Sequence, residues 1–91
     1  METTNKPATM EIEAPIRAFI ASNLLYSSEG FTHSDDISLL REGIIDSLGV
    51  VELVEFLQGH FGIKVEQPEV RPDNFDSVAN LAAYVRRKKS S

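Results

Sequence analysis

The 91-residue chain has no cysteine, no tryptophan and only two histidines. Without cysteine it can form no disulfide, supply no thiolate metal ligand and offer no thiol nucleophile of its own. Any thiol chemistry has to come from an attached group. His33 and His60 are too few and too scattered for a zinc site. No run of about 18 apolar residues exists to span a bilayer. The opening METTNKPATMEIE is polar and acidic, unlike a secretory signal, so the expected location is the cytoplasm. A hydrophobic content of 42% suffices for one compact core, with little length over for a second domain or a deep, walled active site.

Basic charge is scarce along most of the chain. The net charge is −5, and four of the nine bases are the closing run Arg86, Arg87, Lys88 and Lys89. Between Asp35 and Asp76 ten acids face only Arg41, Lys64 and Arg71. Such a field repels nucleic acid and anionic membrane and favours basic protein partners. A solvated acidic surface kept for solubility is the plain alternative.

Periodicity gives three helices. Ile12, Ile16, Phe19, Ile20 and Leu24 recur at spacings of three and four, one stripe of an amphipathic helix. Pro15 is comfortable only in a first turn, which puts the start near Glu11 to Glu13 and the end near Tyr26, before Ser27, Ser28 and Gly30. Phe31 to Ile45 reads as a long loop whose Ile37, Leu39, Leu40, Ile44 and Ile45 must dock on the helices to keep it ordered. Asp46 is a good N-cap for a second helix that Gly62 ends, with Ile45 and Val50 placed as a hydrophobic staple. Its core stripe is Val50, Leu53, Val54, Leu57 and Phe61, and Leu48, Glu52, Glu55 and Gly59 face outward.

Pro68 and Pro72 limit Ile63 to Phe75 to a short helical turn. Asp76 is expected to cap a last helix with core residues Val78, Leu81, Ala82 and Val85. Phe19, Phe61, Phe75 and Tyr84 are the rings expected in the core. The fold class is all-α: a four-helix bundle of three longer helices and one short turn, with a long loop between helices one and two. Residues 1–9 and 88–91 are expected to be tails around a domain spanning 10–87. The chain is expected to be monomeric.

Fold alone names no function. The residues able to form a site are Gly43-Ile44-Ile45-Asp46-Ser47-Leu48. Ser47 stands directly after a helix cap, with its hydroxyl beside unpaired backbone N–H groups, a position that suits a phosphodiester as well as it suits ordinary helix-start serine. The pattern Gly-x-x-Asp-Ser-Leu, followed by Val51-Glu52-Leu53-Val54, resembles the attachment motif of acyl carrier proteins, the phosphopantetheine-binding carrier family. The resemblance extends through Phe61-Gly62-Ile63 to Asn74-Phe75-Asp76-Ser77-Val78-Ala79-Asn80-Leu81.

It implies that Ser47 accepts 4′-phosphopantetheine from coenzyme A through a phosphopantetheinyl transferase, with Asp46 as the adjacent motif acid. It also implies a carrier rather than an enzyme, holding acyl groups as thioesters for fatty-acid, lipid or specialised-metabolite synthesis. Aminoacyl or peptidyl cargo is the alternative. Loading ligases and acyl-transferring enzymes would read Leu48, Val51, Glu52 and Glu55 with basic patches. Gly49 departs from the pattern, since fatty-acid carriers usually have an acid there, and Gln58 and Gly59 replace acids further along. The opening Gly-Ile-Ile-Asp-Ser looks more like specialised stand-alone or aminoacyl carriers.

Two other readings compete. A hydrolase using Ser47 would need a histidine within hydrogen-bond reach; His60 lies 13 residues further along the same helix, about 20 Å away at 1.5 Å per residue, while the loop residue His33 is not excluded by geometry but has nothing around it that suggests an oxyanion hole. An unmodified protein-interaction bundle would take up no arm.

Overall fold

The computed structural model describes the backbone of residues 8–90 and the side chains from Ile12 onward. All regular structure among these residues is helical. Helix α1 (Ala8–Phe19) runs into a π-helical turn over Ile20–Leu24, and α2 spans Ser47–Phe61. A 3-10 turn (Gln67–Glu69), α3 (Pro72–Phe75) and α4 (Val78–Ser90) follow. Helix α4 packs against both α1 and α3.

The expected stripes meet in one core. Ile12, Ile16 and Ile20 from the first helix, Leu53 and Leu57 from α2, and Val78, Leu81, Ala82 and Val85 from α4 are all buried, with Phe75 and Tyr84 among them. The first helix starts earlier than Pro15 suggested. Pro15 is the eighth residue of α1, where it leaves the Glu11 carbonyl without a helical donor. An interior proline costs about 3 kcal/mol. Burying each of Ile12, Ile16 and Ile20 contributes about 1.5–3 kcal/mol, so the apolar stripe outweighs the proline and carries the helix through it.

The aromatic expectation holds in part. Phe75 and Tyr84 are buried side by side with ring centroids 5.5 Å apart. Phe19 and Phe61 are only partly buried. Phe19 instead stacks on Phe56 at 4.4 Å, and Phe56 on His60 at 5.0 Å, forming a ladder along the α1–α2 edge.

The connection to α4 contains two short helical pieces rather than the one expected. Each has a proline in its first turn, where the missing N–H would be unpaired in any case, so Pro68 and Pro72 begin turns as well as limit them. Helix also reaches into both segments expected to be tails: Ala8 and Thr9 belong to α1, while α4 continues through Ser90. Residues 1–7 and 91 lie outside the described residues. Near the end of α4, Lys88 Nζ donates to Glu69 Oε1 at 3.0 Å, and the Tyr84 hydroxyl donates to the same oxygen at 2.7 Å. The Glu66 backbone N–H, the Tyr84 hydroxyl and the Lys88 ammonium together lower the Glu69 pKa to about 2.

The long loop is held by more than its apolar residues. Leu39 and Ile45 are buried. The Arg17 guanidinium of α1 binds Asp35 through two hydrogen bonds, which hold the carboxyl below its usual range. The Ala79 N–H at the start of α4 donates to the Asp35 carbonyl at 2.9 Å. Asp76, expected to cap α4, faces the loop instead. Its carboxylate accepts from Ser38 Oγ at 2.6 Å and from the Leu40 N–H at 2.9 Å, and its carbonyl accepts from the Leu39 N–H at 2.7 Å. The cap of α4 is Ser77, whose Oγ accepts from the Asn80 N–H at 3.0 Å. A short hydroxyl at the helix start leaves the longer carboxylate free to reach across.

Candidate functional site

The start of α2 hangs from the buried loop residue Leu39. The N–H groups of Ile44 and Ile45 both donate to the Leu39 carbonyl, at 2.9 and 3.2 Å. Gly43 makes the turn that allows this with φ at 72°, a left-handed conformation that suits glycine. Asp46 is extended, and its Oδ1 accepts from the Gly49 N–H at 3.0 Å while its carbonyl accepts from the Val50 N–H at 3.0 Å. Cap and staple position are therefore as expected, with Ile45 buried and Val50 packed on the core.

Ser47 follows as the first residue of α2 and is exposed. Its hydroxyl has no hydrogen-bond partner among the described residues. The cap satisfies Gly49, which leaves the N–H groups of Ser47 and Leu48 at the helix mouth. An exposed, unengaged hydroxyl next to free helix N–H groups fits a phosphodiester-linked arm: the oxygen is accessible to an incoming phosphorus, and the helix end favours the resulting negative charge. Asp46 works in the other direction electrostatically, but its carboxylate is turned to Gly49 by the cap.

Around Ser47, Leu48 is 65% and Val51 53% exposed, and Glu55 also faces solvent. Glu52 differs from expectation. It is half-buried, because it forms one wall of a groove of ≈ 280 Å³ between α2 and the end of the first helix. Asp46 and Leu48 share that wall, with Asn23 and Tyr26 opposite.

Tyr26 was legible only as a helix end. It occupies the left-handed region with φ at 55° and is 85% exposed. The π-turn delivers it there: the Leu25 N–H donates to the Ile20 carbonyl at 2.9 Å and the Ser27 N–H to the Ala21 carbonyl at 2.8 Å. A left-handed non-glycine residue costs about 1–2 kcal/mol.

Gly49 has a packing explanation. It is buried, and a Cβ there would lie 3.0 Å from Ile45 Cβ. Ile45 Cβ is fixed to the backbone and cannot swing away. Gly49→Ala gains up to about 1 kcal/mol of helix propensity, but overpacking costs about 1–3 kcal/mol. Net destabilisation of about 1 kcal/mol is expected by urea unfolding, and a stabilised variant would show that Ile45 yields. An acid at this position would meet the same obstacle.

Among the described residues no histidine is hydrogen-bonded to Ser47. His60 lies in the last turn of α2, at the opposite end from Ser47. His33 is exposed and packs edge-on to Phe31 at 5.5 Å. Among the described residues, no group of three or more His, Cys, Asp or Glu side chains could hold a metal ion, and no helix is long and apolar enough to cross a membrane.

Comparison with known proteins gives the family of the chain. A family profile described as "Phosphopantetheine attachment site" matches residues 14–85. D-alanyl carrier protein 1 of Lactiplantibacillus plantarum is 36% identical over 59 residues, 65% of this chain and 74% of the relative. The probable acyl carrier protein PigG of a Serratia species is 33% identical over 52 residues, 57% of this chain and 60% of the relative. Among solved structures, a chain from a crystal structure of an FAD-dependent dehydrogenase aligns with a TM-score of 0.58 and 34% identity, covering 76% of this chain and 96% of that one. Because the matched region runs from the middle of α1 to the later turns of α4 and takes in the Asp46-Ser47-Leu48 helix start, the chain belongs to the phosphopantetheine-attachment family, whose members bear a covalent 4′-phosphopantetheine arm and act as carriers rather than catalysts.

Proposed function

We propose that Ser47 bears the arm and that the chain carries small aminoacyl or short acyl groups between enzymes. The observation that carries this reading is the exposed, unengaged Ser47 hydroxyl at the capped start of α2. The terminal thiol of the arm supplies the chemistry that the cysteine-free chain lacks, holding cargo as a thioester. Leu48, Val51, Glu52 and Glu55 surround the attachment point, and enzymes with basic, partly apolar surfaces are the partners that such a face suits. These would be the transferase that installs the arm, a loading ligase and acyl-transferring enzymes.

Small cargo is favoured over long fatty chains for two reasons. Several relatives are named as D-alanyl carriers, and the interior is filled by Tyr84, Phe75 and a close set of Ile, Leu and Val. A small apolar hollow of ≈ 110 Å³ opens between Val50 of α2 and Phe75 of α3. An engineered apolar cavity of ~150 Å³ takes up a molecule as small as benzene, so a long chain would have to expand the bundle.

Intact mass after incubation with coenzyme A and a broad-range transferase tests attachment: one arm is expected, placed on Ser47 by fragmentation. Melting temperature tests the cargo. A chain that enters the bundle binds only the folded state and raises the melting temperature. An attached eight-carbon acyl group is therefore expected to leave it within about 2 °C of the free-thiol form. A clear rise, with shifted amide signals at Leu53, Val54 and Leu57, would assign long-chain cargo instead.

A further inference from the structure

Tyr26, Leu48 and Val51 are three exposed large apolar side chains that gather at one end of α2. Tyr26 and Leu48 line the same groove, and Asp46 and Leu48, which bracket Ser47 in sequence, form the wall facing Tyr26. Val51 follows Leu48 one turn along the helix. Tyr26 is the anomaly among them. It holds a left-handed backbone position that usually falls to glycine at a helix exit. Its side chain has no hydrogen bond and no ring contact among the described residues. Strained residues that the fold does not use cluster where something else binds, and tyrosine is a frequent anchor in protein interfaces.

We propose that Tyr26 is an aromatic anchor for the phosphopantetheinyl transferase that modifies Ser47, its ring entering an apolar slot with a basic rim. The proposal rests on the carrier reading of Ser47. The reaction itself selects this occupant. Ser47 Oγ attacks the phosphorus of coenzyme A that bears pantetheine, forming the Oγ–P bond. The bridging P–O bond breaks, adenosine 3′,5′-bisphosphate departs with the electron pair, and the serine proton passes to a base on the enzyme. A reaction at Oγ brings the enzyme within bonding distance of Ser47, so it must cover the side chains around that atom. Enzymes acting on the distal thiol can stand off by the length of the arm. The Asp46, Glu52 and Glu55 carboxylates beside the apolar cluster call for the basic rim. The arm itself is a poorer occupant, since a tethered chain lying over Tyr26 would have to leave at every delivery.

The test is steady-state kinetics of modification, with coenzyme A and a broad-range transferase acting on full-length wild type, Tyr26→Ala, Tyr26→Phe and Tyr26→Gly, together with a thermal melt of each. Tyr26→Ala is expected to lose at least tenfold in kcat/KM, chiefly through a higher KM for the carrier. Tyr26→Phe should stay within threefold of wild type. Tyr26→Gly separates stability from docking, because it removes the strained side chain: it should melt at or above the wild-type temperature and still lose tenfold. If Tyr26→Ala and Tyr26→Gly keep kcat/KM within twofold, the proposal is overturned. Should amide signals of Asn23 and Tyr26 also move when the arm is attached in the absence of enzyme, the groove would belong to the arm. Wild-type protein that accepts no arm would overturn the carrier reading itself, and this proposal with it.

Discussion

Ser47→Ala is expected to take up no arm at all from coenzyme A and a transferase, while its far-UV circular dichroism and melting temperature stay close to wild type. The fold does not depend on this hydroxyl, which bonds to nothing among the described residues. Alanine is the best helix former, and the cap that starts α2 comes from the neighbouring Asp46 through Gly49. An exposed substitution of this kind changes stability by about 0.5 kcal/mol at most.

Several other serines are engaged where Ser47 is not. Ser27 and Ser34 accept backbone N–H groups in turns, Ser38 donates to Asp76, and Ser77 is buried as the cap of α4. Ser22 and Ser28 are exposed as well, but neither opens a capped helix, so the expected loss is complete. Retention of the mass increase in Ser47→Ala, confirmed by fragmentation at another residue, would remove Ser47 from the mechanism.

The parts of this molecule that were legible in the sequence are those written in short-range patterns. The start and stop of α2 follow from Asp46, three residues from the amide it caps, and from Gly62, whose φ of 69° places it in the left-handed region at the helix end. The stripe of α4 is apolar at helical spacing, and every residue expected to be buried there is buried. Legibility fails where a residue's partner is distant. Asp76 stands two residues before α4, so a local reading makes it a cap; its carboxylate partners are 38 and 36 residues away. Glu52 reads as outward-facing on a helical wheel, but the wheel does not show that the first helix ends beside it. Tyr26 gave no signal either, because nothing in composition distinguishes a tyrosine that continues a helix from one at the end of a π-turn.

Asp76→Ala is expected to be the most destabilising change outside the apolar core, although its side chain lies at the margin of the domain. The carboxylate joins the α3–α4 junction to the loop through the Ser38 hydroxyl and the Leu40 N–H. Hydrogen bonds to a charged group contribute about 1.5–3 kcal/mol each, and since two that share one carboxylate are not additive, a combined loss of about 2–4 kcal/mol follows. At about 4–8 °C per kcal/mol for a domain of this size, the melting temperature should fall by roughly 10–25 °C.

The consequence reaches the proposed attachment site. Leu39 lies between the two residues that Asp76 holds, and its carbonyl accepts the N–H groups of Ile44 and Ile45 immediately before the Asp46 cap. Loosening residues 38–40 therefore frees the segment that sets the start of α2 and the orientation of Ser47. Hydrogen exchange should show lost protection at Leu40, Ile44 and Ile45 before any loss at Leu53 or Leu57. The Leu39 N–H should stay partly protected, because it donates to the Asp76 backbone carbonyl, which the substitution keeps. Asp76→Asn retains one acceptor and should recover part of the stability. A melting temperature within 3 °C of wild type for Asp76→Ala, with unchanged exchange at Ile44 and Ile45, would show that the docked apolar residues hold the loop without this carboxylate.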